Sequence, residues 1–459
     1  MKRLLVLLLV FAAGAYAGAA YLLGGQAREQ YFSLLKDHER SGFASLSNRY
    51  YERGFLSSRA ATLVEVSVPD AGSGEAAAKT RTVRFTVRHE LRHGPLPGLL
   101  GGGSLAPALA DMESVVEPGE PGDDVAKLFT EIPELAQSRS ELRVGFSGVI
   151  EGAQTVPAFA REKEGERLAW GGLRLDLVHE PMTGALRGRV SAPDLSLASD
   201  RGSVRLEGLA SSFDLVEAMP FLYVGRLDSS VASINMTQPD AESVLVTDVR
   251  AASDSSCDGT VAGYLQKLDI AAVRYGDAAF GPLSCDIEAR NLDALALSEF
   301  QTRLRLLAAA GPETLSAQAG ELYLTLFSKL LAGKPELRIS RLRIGTARGD
   351  LTGSMQVRSD APAGQAAVNP LLLLPYVQAE AELTAAEELL VGLLGLDAGG
   401  QVQAAPDAGA DVLGRERFRQ QVEPLLARGL LTRDGANITA RASLSQGRLT
   451  VNGQPMPLF

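Results

Sequence analysis

The sequence predicts an α+β protein, predominantly β, in which an N-terminal transmembrane helix precedes an elongated, antiparallel, meandering sheet with helices packed on part of it. Three observations lead to this fold class. Residues 4–25 contain no charged side chain. Many later segments alternate apolar and polar residues with a period of two, which is typical of half-buried strands. A strand, a glycine-containing turn and a second strand then recur along the chain, as successive hairpins of one sheet require.

The N-terminal apolar run follows Met1-Lys2-Arg3 and is long enough to cross a bilayer, since about 20 helical residues span its ~30 Å core. Two cations before the run and none directly after it favour a cytoplasmic N-terminus, with the remaining chain in the periplasm of a Gram-negative cell. The alternative is a signal peptide cleaved after residues 15–17. Gly14 and Gly18 form a small-xxx-small pair where two anchor helices can meet, although small residues are common in membrane helices in any case.

The other elements are predicted in chain order from their periodicity. After the anchor at 1–25 we expect a helical stalk at 26–60, then an antiparallel β region at 61–290 with a helical or loop insertion near 98–138. A helical pair at 291–335, divided at Gly311-Pro312, carries enough Leu and Phe to cover part of the sheet. Strands are expected again at 336–459, with helices near 372–394 and 415–428 and a flexible linker at 398–409.

Composition excludes two classes of protein. A hydrophobic content of 46% with 22% charged residues indicates a folded chain and not a disordered one. The net charge of −10 argues against nucleic-acid binding, because phosphate contacts require clustered Lys and Arg. No nucleic-acid partner is therefore predicted.

One motif suggests catalysis, since residues 89–93 read His-Glu-Leu-Arg-His, the H-E-x-x-H pattern of zinc proteases. The motif lies in the most regular alternating segment, 82–92, and Gly94-Pro95 follows it directly. On a strand the two histidines are ~13 Å apart, too far to share one zinc ion. We therefore reject a metalloprotease. No other nucleophile or phosphate-binding motif stands out, so no catalytic residue, metal or cofactor is predicted.

The chain has two cysteines, Cys257 and Cys285, each followed by Asp. An oxidising compartment allows a disulfide between them, which would close a loop of about thirty residues and stabilise by roughly 3–4 kcal/mol. The alternative is two free thiols in neighbouring strands. We favour the disulfide slightly.

Several motifs give the chain a resemblance to a known family. They are the anchor, Tyr51-Glu52-Arg53-Gly54-Phe55-Leu56-Ser57-Ser58, His93-Gly94-Pro95-Leu96, the repeated phrase at 337–353, and Gly447-Arg448-Leu449-Thr450-Val451-Asn452-Gly453-Gln454-Pro455. With these, the chain resembles the YdgA-like family of bacterial inner-membrane-anchored periplasmic proteins, a domain family of unknown function. A Trp is more usual where Phe55 stands. The resemblance implies a retained anchor, and it implies no catalytic residues.

The family-motif residues are interpreted as structural, because Gly and Pro after a strand define a turn and an aromatic residue can anchor the sheet. They are Tyr51, Arg53, Gly54, Phe55, Ser57, Ser58, His93, Gly94, Pro95, Asn452 and Gly453.

Two function classes follow from the sequence. The first is a non-enzymatic envelope protein whose amphipathic sheet binds or carries phospholipid, since the hairpin pattern is also similar to that of AsmA-like lipid-carrying proteins. The second is a membrane-tethered interaction scaffold, or a homodimer, without a ligand. The exposure of the apolar sheet face distinguishes the two.

Overall fold

The structure is a computed structural model. It describes residues 2–38, 44–69, 80–99, 105–118, 124–239, 241–276, 278–360, 375–395 and 408–457, with side chains of the first helix over 15–33 and 35–36. Strands form 59% and helices 25% of the chain. The prediction of a predominantly β protein built on one antiparallel sheet is therefore confirmed.

The helices are α1 Lys2–His38, α2 Asp124–Glu131, α3 Ala294–Ala310, α4 Pro312–Ala332, α5 Glu387–Gly395, α6 Ala408–Gln421 and α7 Glu423–Ala427, with a 3-10 turn at Pro133–Gln137. The strands of the first half are β1 Ala44–Arg53, β2 Ser57–Pro69, β3 Thr80–His93, β4 Ala110–Val116, β5 Arg139–Val144, β6 Ile150–Val156, β7 Phe159–Lys163, β8 Glu166–Trp170, β9 Leu173–Glu180 and β10 Ala185–Ser199. The later strands are β11 Gly202–Met219, β12 Leu222–Gln238, β13 Ala241–Asp258, β14 Val261–Tyr275, β15 Ala278–Asp293, β16 Glu336–Thr346, β17 Gly349–Ser359, β18 Val377–Ala386, β19 Thr432–Asp434, β20 Asn437–Ser445, β21 Arg448–Val451 and β22 Gln454–Met456.

The sheet is a meander in which strands adjacent in sequence are mostly adjacent in space, and all described pairings are antiparallel. From β1 to β6 each strand pairs with the next. Strand β10 pairs with β9 along its first half and with β8 along its second half, while β6 and β7 pair with β9 and β8 in turn. From β10 to β18 the meander continues without interruption, and β20, β21 and β22 complete it.

A transverse break, here called the crease, crosses eight consecutive strand segments at one level. It consists of the residue pairs 157–158, 171–172, 193–194, 207–208, 232–233, 247–248, 271–272 and 281–282. Cross-strand pairing omits residues at this level, for example between β13 and β14, where Thr247 pairs with Ala272 and Val249 with Ile270. Gly208 and Asp248 have φ of 67° and 50° there, so the strands leave the regular β conformation.

Apolar side chains are spaced by three positions across the crease, although they are spaced by two elsewhere. The pairs are Val156 and Phe159, Trp170 and Leu173, Ala192 and Leu195, Leu206 and Leu209, Val231 and Ile234, Val246 and Val249, Ile270 and Val273, and Phe280 and Leu283. One extra residue reverses the alternation of a strand. We infer that the three-residue spacing keeps the apolar side chains before and after the crease on one side of the sheet.

The two faces of the sheet differ sharply in chemistry. One cross-strand row joins Ile270, Leu283, Ile344, Leu351, Ala385 and Ile438. The opposite face carries ion pairs such as Arg341 with Asp269 and Asp286, Arg343 with Asp350, and Arg441 with Glu382. This amphipathic pattern is what the sequence predicts for an antiparallel sheet.

Within the part of the chain that the structure describes, helices cover the apolar face at its margins. In one cluster, Val391 of α5 and Phe418 of α6 pack with Ile438 at the start of β20. The pair α3 and α4, divided at Gly311 as predicted, contacts the β11–β12 turn, where Ser298 Oγ donates to the Pro220 carbonyl oxygen at 2.8 Å. The expectation that these two helices cover part of the sheet is met at that end alone.

Three predicted segments differ from the observed elements. The stalk predicted at 26–60 is helical only to His38, and 44–53 form β1, because this segment pairs with β2 along its whole length. The insertion near 98–138 contains strand β4 as well as α2. The helix predicted near 372–394 is strand β18 over 377–386, and only α5 follows as helix.

The predicted membrane anchor, the Gly14 and Gly18 pair and the predicted linker fall largely on parts of the chain where the structure describes little. Among the described residues, no helix combines the length and apolar character needed to cross a membrane. Gly14 lies outside the residues whose surroundings are described, and a Cβ on Gly18 would meet no atom within 4 Å. The linker predicted at 398–409 lies outside the described residues except for 408–409, which begin α6.

Candidate functional site

Nine of the family-motif residues meet at one place, the junction between α1 and the hairpins of β1 to β3. Here the end of β1, the start of β2 and the end of β3 surround the middle of α1. The sequence grouped these residues by resemblance, but it did not indicate that α1 packs on them.

His93 is the central side chain of this junction and is only 1% exposed. Its Nδ1 lies 3.0 Å from the Ala20 carbonyl oxygen of α1, and its Nε2 lies 3.1 Å from Ser58 Oγ. A carbonyl oxygen only accepts, so Nδ1 carries the proton and Nε2 accepts from Ser58 in the neutral ring. Burial lowers the pKa of His93 below its ordinary value, which favours this neutral state.

Gly24 of α1 gives the His93 ring its space. A Cβ at this position would lie 2.5 Å from Cε1 and 2.7 Å from Nδ1 of His93. A side chain larger than hydrogen therefore cannot occupy the position without displacing the ring. The glycine fixes how closely α1 approaches β3.

Arg53 and Phe55 hold the outer side of the junction. The Arg53 guanidinium donates to the Tyr21 carbonyl oxygen and lies 4.2 Å from the centre of the Tyr21 ring. That ring lies 5.9 Å from the ring of Phe55, which is 55% exposed. Together the three side chains form an exposed aromatic and cationic surface beside α1.

The glycines and the proline of the motifs shape the chain around α1. Gly54 N donates to the Ser57 carbonyl oxygen at 2.9 Å, and a Cβ on Gly54 would lie 2.4 Å from that oxygen. Gly94, with φ of 140°, and Pro95 form the bend after β3. Beyond it, Tyr16 Oη donates to the Leu96 carbonyl oxygen at 2.8 Å. In the structure these residues shape the backbone around α1, and their interpretation as structural residues stays a prediction.

A chain of hydrogen bonds links α1 to β4 through His89. Tyr31 Oη lies 2.9 Å from Thr62 Oγ1, which lies 2.9 Å from His89 Nε2, and His89 Nδ1 lies 2.7 Å from Ser114 Oγ. Burial lowers the pKa of His89 to about 4, so the ring is neutral at physiological pH. The ring of Tyr51 packs beside this chain, 5.3 Å from that of Tyr31.

The H-E-x-x-H pentapeptide lies in β3, so the prediction that it is part of a strand is confirmed. Its two histidines bond to separate partners, His89 to two hydroxyl groups and His93 to Ser58 and the backbone of α1. Among the described residues no group of three or more His, Cys, Asp or Glu side chains could hold a metal ion. Both histidines fix the packing of α1 on the sheet.

The predicted disulfide is wrong, since Cys257 and Cys285 are both free. Strand β14 separates them, with Cys257 opposite Ala262 and Cys285 opposite Leu268. Six residues along β14 and two strand spacings put the cysteines roughly 20 Å apart. A disulfide requires Cα atoms at about 4–7 Å.

Asn452 and Gly453 lie at the opposite end of the sheet and form the two-residue turn between β21 and β22. Their φ values of 47° and 80° match a type I′ hairpin. The Asn452 side chain also accepts from Arg441 N at 2.9 Å and donates to the Leu430 carbonyl oxygen at 3.0 Å. Both residues shape this turn, and their interpretation as structural residues stays a prediction.

Among the described residues, an extensive surface with binding potential is the apolar face beyond the crease. One row there joins Trp170, Leu195, Leu206, Ile234, Val246, Val273 and Phe280, and the next joins Leu168, Leu197, Val204, Met236, Val244 and Tyr275. None of these thirteen apolar side chains is buried, and Leu197 is 47% exposed. The three-residue spacing at the crease is the sequence signal that could have identified both rows.

An open groove of about 760 Å³, here called the tip groove, lies on the outer row. Its floor is formed by Leu168, Leu197, Val204 and Met236, and Ile132 bounds one side. Its volume is within the range of about 300–1,000 Å³ typical of small-molecule sites. An apolar floor of this kind suits a hydrocarbon chain.

Comparison with known proteins gives one match. A family model described as "Bacterial protein of unknown function (DUF945)" covers residues 1–459. No curated protein and no solved structure matches the chain.

Proposed function

This chain belongs to a bacterial protein family of unknown function (DUF945), and from that premise we propose that it is a membrane-anchored envelope protein that binds lipid acyl chains along the apolar face of its sheet. The YdgA-like resemblance supports an inner-membrane anchor and a periplasmic body. The proposal requires no catalytic residue and no cofactor.

The uncovered apolar face is the observation that carries the proposal. Leu227, Leu383 and Met236 are 40%, 43% and 39% exposed on this face, far apart along the sheet. The row nearest the crease extends over twelve strands from β6 to β20, or roughly 50 Å. Soluble monomers rarely expose contiguous apolar surface of such extent, so a ligand or partner is expected to cover it.

The membrane anchor is proposed from residues 4–25 and from the way α1 is held. Three residues of α1 form hydrogen bonds to the sheet side of the junction. These pairs are Tyr16 with Leu96, Ala20 with His93, and Tyr21 with Arg53. Since these contacts dock residues 16–21 on the sheet, we propose that the earlier part of the run, from residue 4, enters the bilayer and holds the sheet close to it. Exposed Tyr21, Phe55 and Arg53 have the chemistry of the membrane–water interface, where aromatic rings and cations are favoured.

Photocrosslinking of neighbouring residues tests the proposal. Benzoyl-phenylalanine is placed at Leu227, on the apolar face, or at Asp228, which follows it and points to the opposite face. Irradiation in cells grown with labelled phospholipid precursor is expected to attach lipid to the protein at Leu227 and not at Asp228. Equal labelling at both positions, or none at Leu227, would overturn the proposal.

A second candidate function rests on a different surface, the outer side of α3 and α4. Leu306, Tyr323 and Leu324 are 66%, 57% and 62% exposed there. A protein partner or a second copy of the chain would bury them, as in a membrane-tethered scaffold. Crosslinking from Leu324 into protein, without lipid labelling at Leu227, would favour this function over lipid binding.

A further inference from the structure

The tip groove combines its apolar floor with a charged rim, and that rim identifies a ligand class. The rim carries four cations and three carboxylates: Arg161, Lys163, Arg167, Arg201, Glu131, Glu162 and Glu166. Most of these charges are paired. Lys163 Nζ lies 2.8 Å from Glu131 Oε1, Arg167 Nε lies 3.1 Å from Glu162 Oε2, and Arg161 pairs with Glu134.

Arg201 differs from the other rim cations, since among the described residues it has no acidic partner. It lies in the turn between β10 and β11, and its backbone N donates to Ser199 Oγ at 3.2 Å. Leu197 and Val204, the floor residues of the same hairpin, lie close to it in sequence. Glu166, also without a described cationic partner, lies at the β7–β8 turn. A guanidinium beside an apolar floor suits a hydrocarbon chain that ends in a carboxylate, which Arg can bind with two parallel hydrogen bonds.

The floor is one apolar row wide at the rim, with Leu168, Leu197, Val204 and Met236 on successive paired strands. A single chain lying across these strands would contact all four side chains. The inner row begins two residues away on each strand, about 7 Å further along the sheet. One acyl chain therefore fits along the outer row of the groove.

We propose that the tip groove binds a long-chain fatty acid, with the acyl chain on Leu197, Val204 and Met236 and the carboxylate on Arg201. This inference rests on the proposed function, because it assigns a ligand to one end of the lipid-binding face. Binding here involves no covalent step. The carboxylate would accept hydrogen bonds from the Arg201 guanidinium.

The single tryptophan provides a direct readout. Trp170 is the only Trp of the chain and lies on the inner row, two residues from Leu168 of the groove floor. Full-length protein in phosphatidylcholine nanodiscs is titrated with a fatty acid brominated near its chain end, since bromine quenches indole fluorescence at short range. We expect saturable quenching of Trp170.

Two matched variants and one matched ligand test the role of Arg201. Arg201→Gln is expected to weaken fatty-acid binding roughly tenfold or more, as for the loss of a charge-assisted hydrogen-bonded pair. Arg205→Gln makes the same charge change on the opposite face, where Arg205 pairs with Glu207 at 2.8 Å, and is expected to leave binding unchanged. The matching brominated fatty alcohol should bind wild type and Arg201→Gln equally.

Three outcomes would overturn the inference. Absence of saturable quenching would exclude the groove as a fatty-acid site. Equal affinity of wild type and Arg201→Gln for the acid would exclude the carboxylate assignment. Quenching by brominated phospholipid in the nanodisc, with none by the fatty acid, would assign the groove to phospholipid. In each case, lipid labelling at Leu227 decides separately whether the proposed function holds.

Discussion

Replacing Gly24 by Ala should loosen α1 from the sheet, although alanine is the better helix former. In an exposed helix the substitution gains about 1 kcal/mol. At Gly24 the new Cβ would lie within 3.0 Å of three atoms of the His93 ring, and that ring is buried and held by two hydrogen bonds. Overpacking costs about 1–3 kcal/mol, and the lost hydrogen bonds about 1 kcal/mol each. We therefore expect a net loss of about 2–4 kcal/mol in the docking of α1.

Hydrogen exchange of the backbone amides in the second half of α1 measures this loss in the full-length protein. A change of 2–4 kcal/mol corresponds to exchange roughly 30- to 1,000-fold faster in Gly24→Ala than in wild type. Gly18→Ala is the matched control in the same helix, because its Cβ would meet no atom within 4 Å. It should leave exchange unchanged or slower.

A double-mutant cycle connects the effect to His93. In a His93→Ala background the ring is absent, so Gly24→Ala should no longer accelerate exchange. Wild-type exchange rates in Gly24→Ala, or an equal effect in both backgrounds, would refute the conclusion that the His93 ring and Gly24 fix the position of α1.

Three other predictions concern His89, the cysteines and the C-terminal turn. The pKa of His89 is about 4 in the folded protein, compared with an ordinary value of 6.5. The unfolded state therefore binds the proton more tightly than the folded state. The free energy of unfolding should fall by about 3 kcal/mol as the pH drops from 6.5 to 4. In urea titrations across this pH range, the free energy of unfolding of His89→Gln should lack the part of the decrease that His89 causes. If wild type and His89→Gln lose stability equally with falling pH, His89 is not the group responsible. Cys257 and Cys285 should both react with maleimide in native, unreduced protein, and a bridge would instead protect both. Gly453→Ala should cost about 1 kcal/mol in urea titrations, because φ of 80° strains any residue with a Cβ; an unchanged midpoint would exclude the type I′ turn.

Much of the sheet was predictable because its strands alternate apolar and polar residues over most of their length. The segment around Phe85 and the hairpins at 171–209 and 337–355 are examples, and each forms the strands that its pattern indicates. The helical pair was predictable because Gly311-Pro312 marks its division. In these segments local preference and tertiary pairing agree.

The misassigned strands lack that agreement. Residues 377–386 are rich in Ala and Glu, which favour helix, but β17 and β20 pair with this segment on both sides and make it a strand. Residues 44–53 show no clear alternation and become β1 through pairing with β2. In both segments the secondary structure is determined by pairing with strands that are distant in sequence, and the local sequence does not indicate which strands these are.

The candidate site was predictable in its residues but not in its arrangement. The motifs that contain Ser58 and His93 stand out in the sequence. The contact between His93 and Ala20, however, joins positions 73 residues apart, and no local pattern indicates it. The disulfide prediction fails for the same reason, since residues on nearby strands of a meander can still lie far apart along the strand direction. The sequence did not indicate the tip groove, because the apolar positions beyond the crease are offset by one residue from those before it.

The crease also restricts how the lengths of these strands can change. Each strand that crosses the crease has one set of apolar residues before the crease and another set after the crease, offset by one position. Deleting a single residue within a strand, for example near Gly208, would turn every side chain beyond that point to the opposite face, so Leu206 and Val204 would exchange places with charged neighbours. The same deletion at a hairpin tip, such as the turn at Asp200, would leave both sets in place. We therefore expect insertions and deletions in this half of the protein to be tolerated at the tips of the hairpins and excluded from the strands between them.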